Sequence, residues 1–487
     1  MKAPRAYITL TFCLLALPHA GLAISWPIQP HDISLPIGNS YGEYQYYGGL
    51  PYMHPGIDIM APAGTPVYAV KPGYVKAVLT TSAELHWRVA VGDSAGAAEC
   101  DGWLYAHLDQ TSIAVYEGEW VNEGDFLGNL VRWPVADFHH LHFVKIRHSG
   151  VIWDSDWSFI GNPLDELTPI DDPDAPVFEL AGDGRKFLFA QNQSTSYFSP
   201  EQPVSGNVDI ICRVYDYINH YDWRLAPYRI DYRVAGDSSF DWVTLVCFTG
   251  PLDFTNNVPV VYRNDQACHT RGDYDYRQFY FTVTNTDGDS LIETADAGYS
   301  WETASFHNGQ YLVYVRAFDR AGNMTVDSMP VSVANYFALS GTVVFPDGNP
   351  EYADINVSVL PDGASAMADE TGRFSLPIVG GGAQIVSISR PGYETVDTAV
   401  VMNRDAALTM IMEPTQFVLG DANFDGDINV GDAVFLINFA FRNGSSPIPY
   451  PAGDANSDQS VDVGDAVYLV NYIFKDGPPP QGVLAAL

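Results

Sequence analysis

Between about 177 and 336 apolar and polar residues alternate with a period of two and show no helical periodicity, which predicts strands that bury one face. Residues 311–318 (YLVYVRAF) are one such strand, closed by the turn Asp319-Arg320-Ala321-Gly322-Asn323. Helices are predicted at 433–439 and 466–472, each directly after a copy of an acidic twelve-residue segment that recurs 33 residues later. A period of that size marks a duplicated supersecondary unit. The run 170–176 (IDDPDAP) has no apolar face to bury and reads as a linker. Gly 42 and Pro 33 favour many short strands over long helices, so the expected fold class is mainly β and multidomain.

At 487 residues the chain has room for three or four domains, and 47% hydrophobic residues supply several cores. The formal net charge of −35 repels nucleic acid, anionic lipid and anionic wall polymers at long range. Residues 1–23 read as a secretory leader: Lys2 and Arg5, an apolar stretch 6–17, then the small-residue site Gly21-Leu22-Ala23. That stretch is shorter than a bilayer span and no later segment is long enough, so the expected protein is exported, without a membrane span, and monomeric. Cys100, Cys212, Cys247 and Cys268 show no zinc-cluster spacing, and outside the cytosol they predict one or two disulfides of open connectivity, within the stretch holding the last three.

Seven of the twelve histidines, His54, His86, His107, His139, His140, His142 and His148, fall in one window of a first domain spanning 24–172. In His54-Pro55-Gly56-Ile57-Asp58 an extended chain points His54 and Asp58 the same way, with only Gly56 between them. In His139-His140-Leu141-His142-Phe143 alternation puts His140 and His142 on one face, and His139, Leu141 and Phe143 on the other. Tyr105-Ala106-His107-Leu108 is a third strand-like run with one polar position among apolar ones. Three His/Asp ligands with an open fourth position is the catalytic zinc arrangement, although manganese or iron also suits such ligands.

These segments resemble the lysostaphin/LytM-type zinc endopeptidases, which cut peptide cross-links of bacterial cell walls. The resemblance covers about 35–166 and includes His54-x-Gly56-x-Asp58, Ala61-Pro62-x-Gly64-Thr65-Pro66-Val67, Tyr105-x-His107, Gly118-x-x-Val121-x-x-Gly124, His140-Leu141-His142-Phe143 and Asn162-Pro163-Leu164. It implies an open β-sheet head of the duplicated hybrid motif type, with His54, Asp58 and His142 as Zn2+ ligands. His107 and His140 would be the catalytic histidines flanking the attacking water, one as general base, the other steadying the oxyanion or protonating the leaving amine. Their roles stay interchangeable. The family's Gly-Pro before His-Leu-His is Phe138-His139 here, its Glu after the Phe is Val144, and the loop 132–138 lacks its Ser-Thr-Gly approach.

Residues 177–336 resemble immunoglobulin-like or fibronectin-like sandwiches of bacterial surface proteins; Arg271-Gly272-Asp273 within them is a short motif common by chance. Residues 337–414, with runs at 340–344, 353–359, 369–376 and Arg390-Pro391-Gly392-Tyr393, resemble the seven-strand carboxypeptidase-regulatory-like β-sandwich, a spacer without chemistry.

In 415–477, ahead of a tail at 478–487, the repeated segments place Asp421, Asn423, Asp425, Asp427, Asn429 and Asp432, then Asp454, Asn456, Asp458, Ser460, Asp462 and Asp465, at Ca2+-loop spacing. Position 6 is Gly426 in the first loop but Gln459 in the second, which predicts weaker binding there. Loop–helix units closed by Asp resemble type I dockerins, small α modules that hold two structural Ca2+ and dock onto cohesin domains of surface or cellulosome-like scaffolds. Position 11, a partner-reading hydroxyl in many dockerins, is Gly431 and Gly464 here.

The composite expectation is a secreted bacterial zinc metalloendopeptidase acting on peptidoglycan or other peptides, tethered by a calcium-dependent tail to a cohesin. A silent relative that binds wall peptides or activates another hydrolase, and an adhesin working through 177–414, are its rivals.

Overall fold

The computed structural model describes residues 23–47, 49–81, 85–95, 100–135, 137–146, 160–219, 222–237, 239–272, 276–289, 291–480 and 483–484. Nearly all of the predicted leader, His148, Asp273 and the end of the tail lie outside the described residues. Strands dominate and helices are few. Among the described residues no helix is long and apolar enough to cross a membrane. The chain divides into two compact units, Met1–Trp301 with Gln310–Ser332, and Glu302–Gly309 with Val333–Leu487. Residues 170–177 lie in the first unit and residue 336 in the second.

The first unit opens with an antiparallel sheet. Its strands are β1 (Ile37–Asn39), β2 (Ile57–Met60), β3 (Gly73–Leu79), β4 (Arg88–Gly92), β5 (Gly102–Ala106), β6 (Trp120–Val121), β7 (His140–Ile146) and β8 (Ile160–Gly161). Their order is β1-β2-β7-β5-β4-β3-β6, with β8 pairing the end of β7. All residues of β7 are buried, so both faces of the sheet are covered at its centre. One face carries His140, His142 and Val144. The other carries Leu141, Phe143 and Lys145, with the Phe143 ring stacked on Trp103 at 5.0 Å and the Lys145 ammonium 4.6 Å from the Trp103 ring centre. Burying Leu141 and Phe143 stabilises this strand by about 1.5–3 kcal/mol each.

Residues 177–333 add two further antiparallel sheets. One is built around Asn207–Tyr215, and the other runs Val243–Cys247, Arg229–Ala235, Gly309–Phe318, Met324–Val333. Alternating burial along Gly309–Phe318 follows the sequence pattern. These sheets grip the head through polar contacts. The Tyr262 hydroxyl donates to the Gly42 carbonyl at 2.8 Å, and Asn162 Nδ2 donates to the Phe248 carbonyl at 2.8 Å. Arg277 pairs with Glu43 at 3.1 Å, where both are almost wholly buried. Within the run after residue 170, Asp172 is only 7% exposed, while Asp171 and Pro173 are exposed. The expected disulfides do not form: Cys100, Cys212, Cys247 and Cys268 are not joined by disulfide bonds.

In the second unit seven strands between Tyr336 and Ile411 form a three-stranded and a four-stranded sheet. Leu339, Val343 and Phe374 from one meet Val357, Val386 and Ile388 from the other in a shared core. Two helices follow, α1 (Val430–Arg442) and α2 (Val463–Lys475), each started by a capping box, Asn429 with Asp432 and Asp462 with Asp465. They pack through equivalent residues of the repeat: Ala433 and Leu436 against Ala466 and Leu469.

Removing Arg277 would strand the Glu43 carboxylate in the interior. Arg277→Ala should lower stability by about 3–5 kcal/mol. Urea unfolding followed by tryptophan fluorescence reads this as a lower midpoint, and adding Glu43→Gln to Arg277→Ala should restore part of the loss.

Candidate metal centre

The register between β2 and β7 sets Asp58 opposite His142, so both side chains leave the same face of the sheet. His54 stands just before β2. Gly56 between them permits the close approach: a Cβ there would lie 2.7 Å from the Phe143 carbonyl oxygen and 3.0 Å from the His142 ring. The result is a triangle of donor atoms. His142 Nδ1 lies 2.9 Å from Asp58 Oδ1, His54 Nε2 lies 3.3 Å from Asp58 Oδ1, and the two ring nitrogens are 3.1 Å apart. Tetrahedral zinc with bonds of about 2.0–2.1 Å would separate its ligand atoms by about 3.3–3.4 Å, so the triangle fits that ion with a slight opening.

Carbonyl oxygens only accept, and this fixes the imidazole protons. His54 Nδ1–H points to the Ser40 carbonyl at 3.2 Å, which leaves Nε2 bare toward the triangle. His140 Nδ1–H points to the Phe138 carbonyl at 2.9 Å, and His107 Nδ1–H to the Leu85 carbonyl at 3.1 Å. Each therefore presents a bare Nε2. His140 Nε2 lies 3.6 Å from Asp58 Oδ2, and the His107 and His140 rings are 4.7 Å apart.

Burial acts on every group here, since all five are at most 9% exposed. It would raise Asp58, but the charges that His140 and His54 carry when protonated, and the hydrogen bonds that His142 and His54 then donate, hold the carboxyl well below its usual range. Burial pushes His142 down to about 4, and lowers His140 against the pull of Asp58. His107 falls well below the usual imidazole value through burial and then the neighbouring His140 and His142. His54 is the exception: burial lowers it, yet the adjoining Asp58 carboxylate leaves it raised.

His107 is not in a regular strand. β5 ends at Ala106, which pairs with His142, while Tyr105 pairs with Phe143 on the opposite face. Continued alternation would have put His107 beside Tyr105, away from the His54/Asp58/His142 triangle. A left-handed backbone at His107 (φ 67°) breaks the alternation and turns the ring toward His140. Its own carbonyl accepts from Val131 N–H at 2.8 Å, which holds the turn.

Two contributors carry no sequence signal. Asn39 on β1 donates Nδ2 to Asp58 Oδ2 at 2.5 Å, and it comes from a strand that no motif marks. Trp133 lies against His107 at 4.3 Å and His140 at 5.1 Å, and comes from the loop that departs from the family pattern. Its backbone N–H donates to His139 Nδ1 at 3.1 Å, so His139 supports that loop.

The acidic loops of the tail are arranged alike. Asp421 accepts from the N–H groups of Asp425 and Gly426, and Asp454 from those of Asp458 and Gln459. Asp432 accepts from Asn423 and Asn429, and Asp465 from Asn456 and Asp462. The side chains of Asn429 and Asp462 cap their helices, and Asp425 and Asp458 accept from Asp427 and Ser460 N–H. Among the described residues, groups of three His, Cys, Asp or Glu side chains with donor atoms within 4.8 Å of one another are His54/Asp58/His142 and Asp172/Asp216/Asp319.

Residues 52–154 match peptidase family M23, so this stretch is an M23 peptidase domain, a zinc-dependent class. No curated protein matches the chain in sequence. Among solved structures, the catalytic domain of the antimicrobial peptidase lysostaphin from Staphylococcus simulans is 24% identical over 26% of this chain and 88% of its own, with a TM-score of 0.22. A zinc-containing peptidase from Vibrio cholerae is 21% identical over 28% of this chain and 40% of its own, with a TM-score of 0.21. A cohesin–X-dockerin complex from Acetivibrio cellulolyticus is 20% identical over 30% of this chain and 97% of that chain, with a TM-score of 0.17.

The raised His54 sets a sign for metal binding. A metal needs the bare Nε2, so binding should weaken as pH falls through the His54 pKa, which lies above the ordinary imidazole value of about 6.5. Zinc titration calorimetry at pH 6.5 in buffers of different ionisation enthalpy should show net proton release that shrinks by pH 8.5. Equal release at both values would contradict the His54 assignment.

Proposed function

We propose that this chain is an exported bacterial zinc metalloendopeptidase that hydrolyses peptide cross-links of peptidoglycan, and that its last segment is a calcium-dependent dockerin that binds a cohesin. The carrying observation is the donor triangle of His54, Asp58 and His142 with the bare Nε2 atoms of His140 and His107 beside it. When bound there, zinc supplies Lewis acidity and brings the pKa of coordinated water to about 7.

The chain's own groups handle the protons. Peptide hydrolysis takes one proton from the attacking water and returns one to the leaving amine. Lowered pKa values keep His140 and His107 neutral near pH 7, so either Nε2 can accept the first proton and return it. Asn39 holds Asp58 in place, and Trp133 shields the two imidazoles from bulk water. Asp58→Ala and His142→Ala should each lose bound zinc and all hydrolysis. His140→Ala should keep most of its zinc and lose at least about a hundredfold in rate. Metal analysis of the full chain, with mass spectrometry of fragments released from peptidoglycans of different cross-link chemistry, reads both. A filled metal site in His142→Ala, with an empty one in His140→Ala, would reverse the assignment.

The dockerin reading rests on the doubled loop, its twelve oxygen-bearing positions and its matching hydrogen bonds. Without calcium the loop carboxylates repel one another, so the cation should add directly to the stability of the helix pair. Gln459 occupies a left-handed backbone position (φ 71°) that Gly426 fills in the first loop, so Gln459→Gly should tighten the second loop by about 1 kcal/mol. Calcium titration of the full chain, followed by far-ultraviolet circular dichroism, tests this. Helical signal that ignores both calcium and chelator would remove the dockerin.

A further inference from the structure

Asp172, Asp216 and Asp319 come from three separate segments of the first unit: the acidic run after the head, the end of strand Asn207–Tyr215, and the turn after strand Gly309–Phe318. They are 7%, 3% and 3% exposed, and one carboxylate oxygen of each lies within 4.8 Å of the others. Asp319 is partly satisfied: its oxygens accept from the Gly322 and Asn323 N–H groups and from Asn323 Nδ2. Each of the other two keeps one bare oxygen, although Asp172 Oδ1 accepts from the Asp174 N–H at 3.2 Å. Asp172 Oδ2 and Asp216 Oδ1 are buried with no hydrogen-bond donor.

No positive charge answers the cluster. Among the described residues no Lys, Arg or His forms an ion pair with any of the three; Arg320, next to Asp319 in the chain, turns to Asp165 instead. The charges that weigh most on Asp216 are those of Asp172 and Asp319, with Asp174 behind them. Burial, then like charge, pushes Asp172 up to about 7 and Asp216 well above the carboxylate range. Buried carboxylates that keep undonated oxygens and have no counterion are costly, and a cation relieves all three together.

We propose that Asp172, Asp216 and Asp319 form a calcium site that fastens the segment after the peptidase head to the sheets that follow it. The donors are hard oxygens only, carry three negative charges, and can offer up to six oxygen contacts, which suits Ca2+ over a nitrogen- or sulfur-seeking metal. Asn323 braces the same junction, donating Nδ2 to the carbonyls of Asp172 at 2.7 Å and Asp174 at 3.3 Å. The site is separate from the zinc triangle and from the tail loops, and it stands whether or not those loops bind calcium.

The test uses the full chain, stripped with chelator, reloaded with calcium alone, and desalted before metal analysis. Asp216→Asn and Asp172→Asn should each bind one calcium fewer than the parent, whatever the parent's total. Thermal melts should cross. In chelator both variants should melt above the parent, because the cost of burying that carboxyl, as a charge or by taking up a proton, is gone. In millimolar calcium they should melt below it. An unchanged calcium count, with higher melting temperatures in both conditions, would overturn the proposal and leave a cluster of protonated acids. If Asp216→Asn fails to fold, Asp172→Asn, in an irregular segment, decides the matter alone.

Discussion

The register between β2 and β7 is the constraint on which the site depends. It sets Asp58 against His142 and His140 against Met60. A slip of one residue would carry every side chain of β7 to the opposite face, putting Leu141 and Phe143 among the ligands and the histidines under Trp103. That slip is prevented from both sides. Leu141 and Phe143 are wholly buried against their own neighbours, and Gly56 admits the Phe143 backbone only in this alignment. The hydrophobic face therefore holds the metal face in place.

What could be read from the chain follows from the same arithmetic. His140 and His142 sort to one face by alternation alone, and His54 and Asp58 are local enough in sequence to be paired without a structure. His107 is different: its segment was recognisable, but alternation assigns it to the wrong side, and only a left-handed backbone brings it round. Asn39 and Trp133 were invisible because nothing in their surroundings is periodic; their partners come from sheet pairing and loop closure. Asp172 misled for a related reason. Acidic, proline-bearing sequence has no preference for burial, so its exposure depends on what packs over it, and composition is silent on that.

The first unit spends buried polar groups at its internal junction. Glu43 with Arg277, Asn162 with Phe248 and Tyr262 with Gly42 are contacts that specify one arrangement without adding much net stability, since desolvation offsets most of the gain. Apolar packing supplies cohesion within each sheet. The second unit solves its smaller problem by duplication, using the same capping box and the same alanine and leucine positions twice.

The left-handed backbone at His107 bears on how this head can change over generations. Asparagine, aspartate, glycine and histidine tolerate that conformation better than other residues. A codon for histidine becomes one for asparagine by a single base change. Such an exchange would keep the turn, the sheet and the His54/Asp58/His142 triangle while deleting an imidazole from the site. Loss of chemistry here is therefore cheap in folding energy. Under the role proposed for His107, a single exchange there would leave a well-folded domain without that imidazole's chemistry.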